Sequence, residues 1–231
     1  SVLHFRDQGY LRDAMLNFLA LLGWSLDEAS ELFTRDELIE HFTLERILAN
    51  PAVFDHEKLD WFNGVYVRQM NDDQLALAIL PWLEADDSVI PASARPIDRP
   101  YLASIIPLER DRLKRLSDAP GMLSFFFEDQ LAYDASSLVQ KGMDQPGTLA
   151  ALWEALSAAE MTEDWTVDSL ESVYRRLAER LALKTGQLFG AIRVAVTGRT
   201  AAPPLFDTLA VLGKERCLSR LRYSMDLLSP R

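Results

Sequence analysis

Apolar residues in this chain recur at the spacing of a helix, and that period limits the possible folds more than any other feature. Leu11, Ala14, Met15, Phe18, Leu19 and Leu22 follow i, i+3, i+4, i+7, i+8 and i+11, which sets them in one stripe along a single cylinder. Leu75, Ala78 and Ile79 repeat the pattern, as do Leu149, Leu152 and Leu156, then Leu170, Val173, Tyr174, Leu177 and Leu181, then Leu205, Phe206, Leu209 and Leu212. No stretch alternates apolar and polar residues between turn signals, so no sheet is predicted. The fold class is all-α.

Punctuation residues predict the helix ends. Thr34 with Glu37 three positions on is a capping box ahead of Leu38, Ile39 and Phe42. Asp55 and Asn71 each open a helix, and Gly23 closes the one that contains Leu11–Leu22. The helix begun at Asp55 is expected to stop at Asn63-Gly64, and the one begun at Asn71 at Pro81. Pro91, Pro96 and Pro100 make 84–100 a loop, and a helix is expected over 101–117. A break is read at Pro120-Gly121, and Lys184-Thr185-Gly186 ends the helix begun near Thr166. Pro203-Pro204 precedes a helix closed by Gly213, and the last helix runs from Lys214 to Leu228.

Composition excludes several functions. Lys and Arg number 24 against 35 Asp and Glu, a formal charge of −11, which argues against general binding to a polyanion such as DNA. The charge is uneven: residues 175–231 carry net +7 and the first 174 carry −18. That pattern suits a partner touching only certain faces, of which RNA is one; the arginines of the last helix equally suit a helix C-terminus. One cysteine, Cys217, excludes an internal disulfide and a cysteine zinc site. No run of about 18 apolar residues is present, so no helix is expected to cross a membrane. His56, within Asp55-His56-Glu57 and near Asp60, has carboxylate neighbours, but helical spacing spreads them around the axis, and no metal site is expected. No phosphate loop, GxGxxG or HExxH occurs, so the chain taken alone is read as non-catalytic. It opens on Ser1 without a basic-then-apolar leader, and is expected to be a piece of a longer protein in the cytoplasm.

Two sets of segments are more specific. The first is Gly9-Tyr10-Leu11, Leu21-Leu22-Gly23-Trp24-Ser25, Pro51-Ala52-Val53-Phe54-Asp55 and Lys58-Leu59-Asp60-Trp61-Phe62-Asn63-Gly64. The second is Arg193-Val194-Ala195-Val196-Thr197-Gly198, Pro203-Pro204-Leu205-Phe206 and Leu212-Gly213-Lys214-Glu215-Arg216. In order and spacing they resemble the C-terminal half of bacterial glutamyl-tRNA synthetases, over nearly the whole chain. The resemblance implies a stem-contact helical domain at 1–70 and two anticodon-binding helical subdomains at 71–129 and 130–231. It implies that the intact enzyme, a class I aminoacyl-tRNA synthetase, uses ATP and Mg²⁺ and that this portion needs neither. It implies tRNA-Glu as partner, with a monomeric enzyme, no DNA and no membrane.

The resemblance also assigns residues. Arg112 falls where the family reads the third anticodon base, with Arg110 as the fallback; a guanidinium offers a planar donor fork to the acceptor edge of a cytosine. Arg193 with Ala202, Pro203 and Leu205 falls where the family packs around the first anticodon base. Lys58, Asn63 and Arg68 are candidate contacts to the RNA backbone, while Leu59 and Phe62 are expected in the core. Two alternatives stay open: a non-discriminating synthetase that also charges tRNA-Gln, and a non-enzymatic all-helical interaction module.

Overall fold

A computed structural model describes residues 1–47 and 53–229; Pro51 and Ala52 of the first motif lie outside them. Among the described residues the structure is helical with no strand, only an isolated bridge between Trp24 and Ile47. Backbone contacts divide the chain into two compact units, Ser1–Leu123 and Ser124–Arg231.

The first unit contains α1 (Val2–Asp7), α2 (Arg12–Leu21), α3 (Arg35–His41), α4 (His56–Gln69), α5 (Asp72–Leu83) and α6 (Arg99–Glu109). The predicted caps are present. Thr34 and Glu37 exchange side chain and backbone bonds as a complete capping box, and Asn71 does the same with Gln74. The Asp55 carboxylate accepts from the amides of Glu57 and Lys58 at 2.9 and 3.1 Å. The stripe on α2 faces α4, and Met15 and Phe18 pack with Tyr10, Leu59 and Phe62 in one apolar cluster. Leu19 departs from the stripe, with 42% of it exposed. Leu75, Ile79 and Leu83 of α5 and Leu102, Ile105 and Ile106 of α6 form the buried faces of a second helix pair.

Four predicted boundaries move, each for a local reason. Helix α4 runs past Gly64 to Gln69, because Asn63 turns inward and makes tertiary bonds instead of capping. A Cβ at Gly64 would lie 3.1 Å from Nη1 of Arg68, the flexible end of a side chain one turn on in the same helix. Pro81 sits in the last turn of α5 and is exposed, so the helix continues to Leu83. The helix expected over 101–117 ends at Glu109, followed by a 3-10 turn at Arg110–Arg112 and extended backbone at Leu113 and Arg115. Pro120-Gly121 opens a helix, α7 (Ala119–Phe127), where proline lacks only an amide that would be an orphan anyway. The expected loop 84–100 is tied down by Arg95, which donates to the Ala85 and Ile90 carbonyls at 2.6 and 2.8 Å.

The second unit contains α8 (Gln145–Met161), α9 (Val167–Arg180), α10 (Thr185–Thr197), α11 (Leu205–Leu212) and α12 (Lys214–Leu228). Here Lys184-Thr185-Gly186 starts α10; α9 has already stopped at Arg180. The expected limits of α12 are met at both ends, and Gly213 closes α11 with a φ of 81°. Helices α8, α10 and α12 pack together over Leu152, Ala155, Leu188, Ala195, Leu218 and Leu221, all buried. Helix α11 packs on α9, and Tyr174, Phe206 and Phe189 form a chain of rings at 5.1 to 6.4 Å.

Candidate nucleic-acid interface

In the first unit two of the candidate residues, Arg110 and Arg112, lie in the turn that follows α6. Arg112 is half exposed, at 46% of its side chain, and its Nη1 donates to Glu109 Oε2 at 3.0 Å. Glu109 is buried, so its carboxylate needs that cation, and the pair anchors one corner of the guanidinium while leaving the side chain accessible. Arg110 is differently placed. It forms an ion pair with Asp72 in the first turn of α5, and only 24% of its side chain is exposed. The two arginines are thus separable by geometry: Arg112 is the reachable one.

The backbone candidates behave unequally. Lys58 is exposed and pairs with Glu31 at 2.6 Å above the Phe62 ring, a surface contact that a phosphate can replace at little cost. Arg68 is exposed on α4. Asn63 is corrected: it is fully buried, its Oδ1 accepts from the Leu11 amide at 2.8 Å, and its Nδ2 donates to the Lys114 carbonyl. Both ends of its amide are spent inside the protein, so it has nothing to offer RNA. Leu59 and Phe62 are fully buried, as expected.

In the second unit Arg193 lies half-buried on α10, and its Nε is buried without a hydrogen-bond partner. A guanidinium nitrogen in that state is costly. Pro203 and Leu205 need correction as side-chain contacts. Both are buried, Leu205 because it is the first residue of α11 and faces inward; they shape the turn. Ala202 is partly exposed. The turn is fixed from its other end, where Thr197 Oγ1 accepts from the Arg199 amide at 3.1 Å and Gly198 adopts a φ of 70°.

Much of the basic tail is internal, which the sequence reading missed. Arg220 is 2% exposed and donates to the carbonyls of Val196, Phe125 and Glu128 at 2.5 to 2.6 Å. Arg216 donates to the Phe126 carbonyl at 2.7 Å, and Arg199 lies over the Phe125 ring and donates to Ser124 Oγ at 3.1 Å. Lys214 bonds the carbonyls of Glu160 and Thr162 at 2.9 and 2.7 Å. Arg175, Arg180 and Arg222 pair with Glu171, Glu154 and Glu160. The excess of positive charge in the tail therefore caps carbonyls and acidic neighbours as much as it presents a basic face. The one available signal was the spacing of Arg216 and Arg220, one turn apart and flanking buried Cys217.

Among the described residues no three His, Cys, Asp or Glu side chains gather to hold a metal ion. Cys217 is buried, with Sγ near the Leu209 carbonyl, and burial pushes its thiol up to about 12. No described helix is long and apolar enough to cross a membrane.

Comparison with known proteins gives this geometry a class. The family model described as an anticodon binding domain matches residues 74–225, and the one described as the class I tRNA synthetase (E and Q) catalytic domain matches residues 1–61. The chain belongs to the anticodon binding domain family. It is 49% identical over 97% of its length to a glutamate–tRNA ligase of Roseiflexus castenholzii, and 52% identical over the same share to that of Roseiflexus sp. strain RS-1. In each case it spans 44% of the relative's length, a little under half. Among solved structures it resembles a glutamate tRNA ligase from Elizabethkingia meningosepticum, in complex with its amino acid, with a TM-score of 0.83 and 26% identity. That match covers 97% of this chain and 43% of the other.

Proposed function

We propose that this chain is the tRNA-binding portion of a glutamate–tRNA ligase, supplying affinity and identity to an enzyme whose chemistry is done elsewhere. The observation that carries the reading is the anticodon-binding match over 74–225, which contains the candidate readers Arg112, half exposed, and Arg193, half-buried. In this reading Arg112 contacts the third anticodon base of tRNA-Glu. Arg193, with the backbone around Ala202, contacts the first. Lys58 and Arg68 lie along the RNA backbone. Residues 1–70 serve as a stem-contact domain, with 71–129 and 130–231 as the two anticodon-binding subdomains. The intact enzyme is a cytoplasmic monomer that activates glutamate with ATP and Mg²⁺ through residues outside this chain.

The test is a titration of the chain with tRNA-Glu, tRNA-Gln and an unrelated tRNA at two salt concentrations. The reading expects tRNA-Glu to bind tightest, with all affinities falling as salt rises. Arg112→Gln is expected to narrow the gap between tRNA-Glu and tRNA-Gln by roughly 5- to 150-fold, taking a good base contact as about 1–3 kcal/mol. Equal binding of tRNA-Glu and tRNA-Gln to the unaltered chain would indicate the non-discriminating enzyme. Binding no tighter than to the unrelated tRNA refutes the assignment.

A further inference from the structure

The backbone that follows Arg112 has no helix of its own to hold it. It is extended at Leu113 and Arg115, and it regains a turn only at Leu116–Asp118. What fixes it is a set of bonds to residues 8–11 and to α4, all within the first unit. Asn63 joins the Leu11 amide to the Lys114 carbonyl through the two ends of one buried side chain. The Leu116 amide donates to the Gly9 carbonyl at 3.0 Å, and Ser117 Oγ donates to the Gln8 carbonyl at 2.6 Å. Arg115 lies 6.0 Å over the ring of Tyr10, whose hydroxyl donates to Asp60.

Gly9 makes the contact possible. Its φ is +82°, and a Cβ there would press on the Ser117 amide and lie 2.8 Å from the Leu116 amide. Both are backbone atoms that no side-chain rotation can move aside. Only Leu113 separates Arg112 from Lys114, while Glu109 holds the guanidinium from the other direction. Base recognition by a donor fork works only within a few tenths of an ångström of ideal geometry.

We propose that Gly9, Asn63 and Ser117 form a clamp that positions Arg112 for base selection, so that residues untouched by RNA set the third-base preference. The inference rests on the reading of Arg112 given above. It also joins two segments of different kinship: Gly9 lies in the part matched by the synthetase catalytic-domain model, and Arg112 in the part matched by the anticodon-binding model. All three clamp residues are positioning residues.

The experiment measures binding of two transcripts, tRNA-Glu and the same molecule with its third anticodon base changed from C to G. It compares the unaltered chain with Arg112→Gln, Gly9→Ala, Ser117→Ala and the double variant Ser117→Ala/Arg112→Gln. The readout is the ratio of the two dissociation constants. A purely structural role scales both constants alike and leaves their ratio fixed. The clamp predicts that Ser117→Ala lowers the ratio at least threefold and Gly9→Ala at least tenfold. It also predicts that Ser117→Ala adds no further loss on top of Arg112→Gln. Should Gly9→Ala fail to fold by circular dichroism, Ser117→Ala, which removes a single hydroxyl, decides the matter. A preference abolished by Arg112→Gln but intact in Ser117→Ala overturns the clamp alone. A preference indifferent to Arg112→Gln overturns the reader assignment and the clamp with it.

Discussion

Replacing Arg220 by Met is expected to remove a large part of the stability of the unit that contains it. The guanidinium is 2% exposed and donates to three carbonyls, those of Val196, Phe125 and Glu128, at 2.5 to 2.6 Å. Val196 and Phe125 belong to the last turns of α10 and α7, where carbonyls have no partner along their own helix. One side chain thus caps two helix C-termini, the end of a helix that favours positive charge. Bonds to a charged donor contribute about 1.5–3 kcal/mol each, but desolvating the guanidinium costs several kcal/mol in return. The net loss on truncation is set by the three carbonyls left unpaired. By comparison with broken buried ion pairs it comes to about 3–5 kcal/mol, against a usual total of about 5–15 kcal/mol for a domain. Native-state hydrogen exchange of the slowest amides in α10 and α12 reads this directly. They should exchange roughly 100- to 5,000-fold faster in Arg220→Met, with Arg220→Lys between. Acceleration of less than about tenfold would mean that water re-satisfies the carbonyls and that burying the cation cancels its bonds.

Two further outcomes follow from the first unit. Asp55→Ala should cost about 1 kcal/mol in urea denaturation by removing the cap of α4, and Asp55→Asn much less; equal effects would refute the capping account. Burial, with Asp60 beside it, pushes the Tyr10 phenol up to about 12, and burial with the charges of Asp13 and Glu37 does the same for Tyr66. Unfolded tyrosine releases its proton near pH 10, so the folded state binds more protons between pH 10 and about 12. The stability these phenols contribute is complete below pH 10 and lost as pH rises through that window. Absorbance at 295 nm should show late ionisation of both, together with a falling urea midpoint; ionisation of all tyrosines near pH 10 would refute it.

Elements whose signals are local were legible in the sequence. The stripes on α2, α5 and α9, the caps at Thr34, Asp55 and Asn71, and the glycine after α11 depend on neighbours within a few residues. Gly64 and Pro81 misled because tertiary contacts outweigh propensity. Gly64 is buried beside Asn63, which bonds Leu11 and Lys114, and the amide missing at Pro81 leaves only the carbonyl of exposed Leu77 without its helix partner. The candidate site was legible through resemblance and only partly through chemistry. Arg112 is half exposed and Arg193 half-buried, whereas Asn63 and Leu205 are buried, which their residue types and spacing do not reveal. Nothing in the sequence near Asn63 announces its partners, since Leu11 and Lys114 lie about fifty positions away on either side.

The arginines at the centre of the second unit bind mainly main-chain oxygens. Arg216 bonds the Phe126 carbonyl and Arg220 those of Phe125 and Glu128, acceptors that every amino acid supplies at the same place. The identities of Phe125, Phe126 and Glu128 can therefore drift without loosening these bonds, provided that chain length and helix phase are kept. An insertion of one residue would rotate every carbonyl by about 100° and disarm the contacts at once. A search for residue pairs that change together would not register these three bonds, because a main-chain carbonyl is the same in every residue.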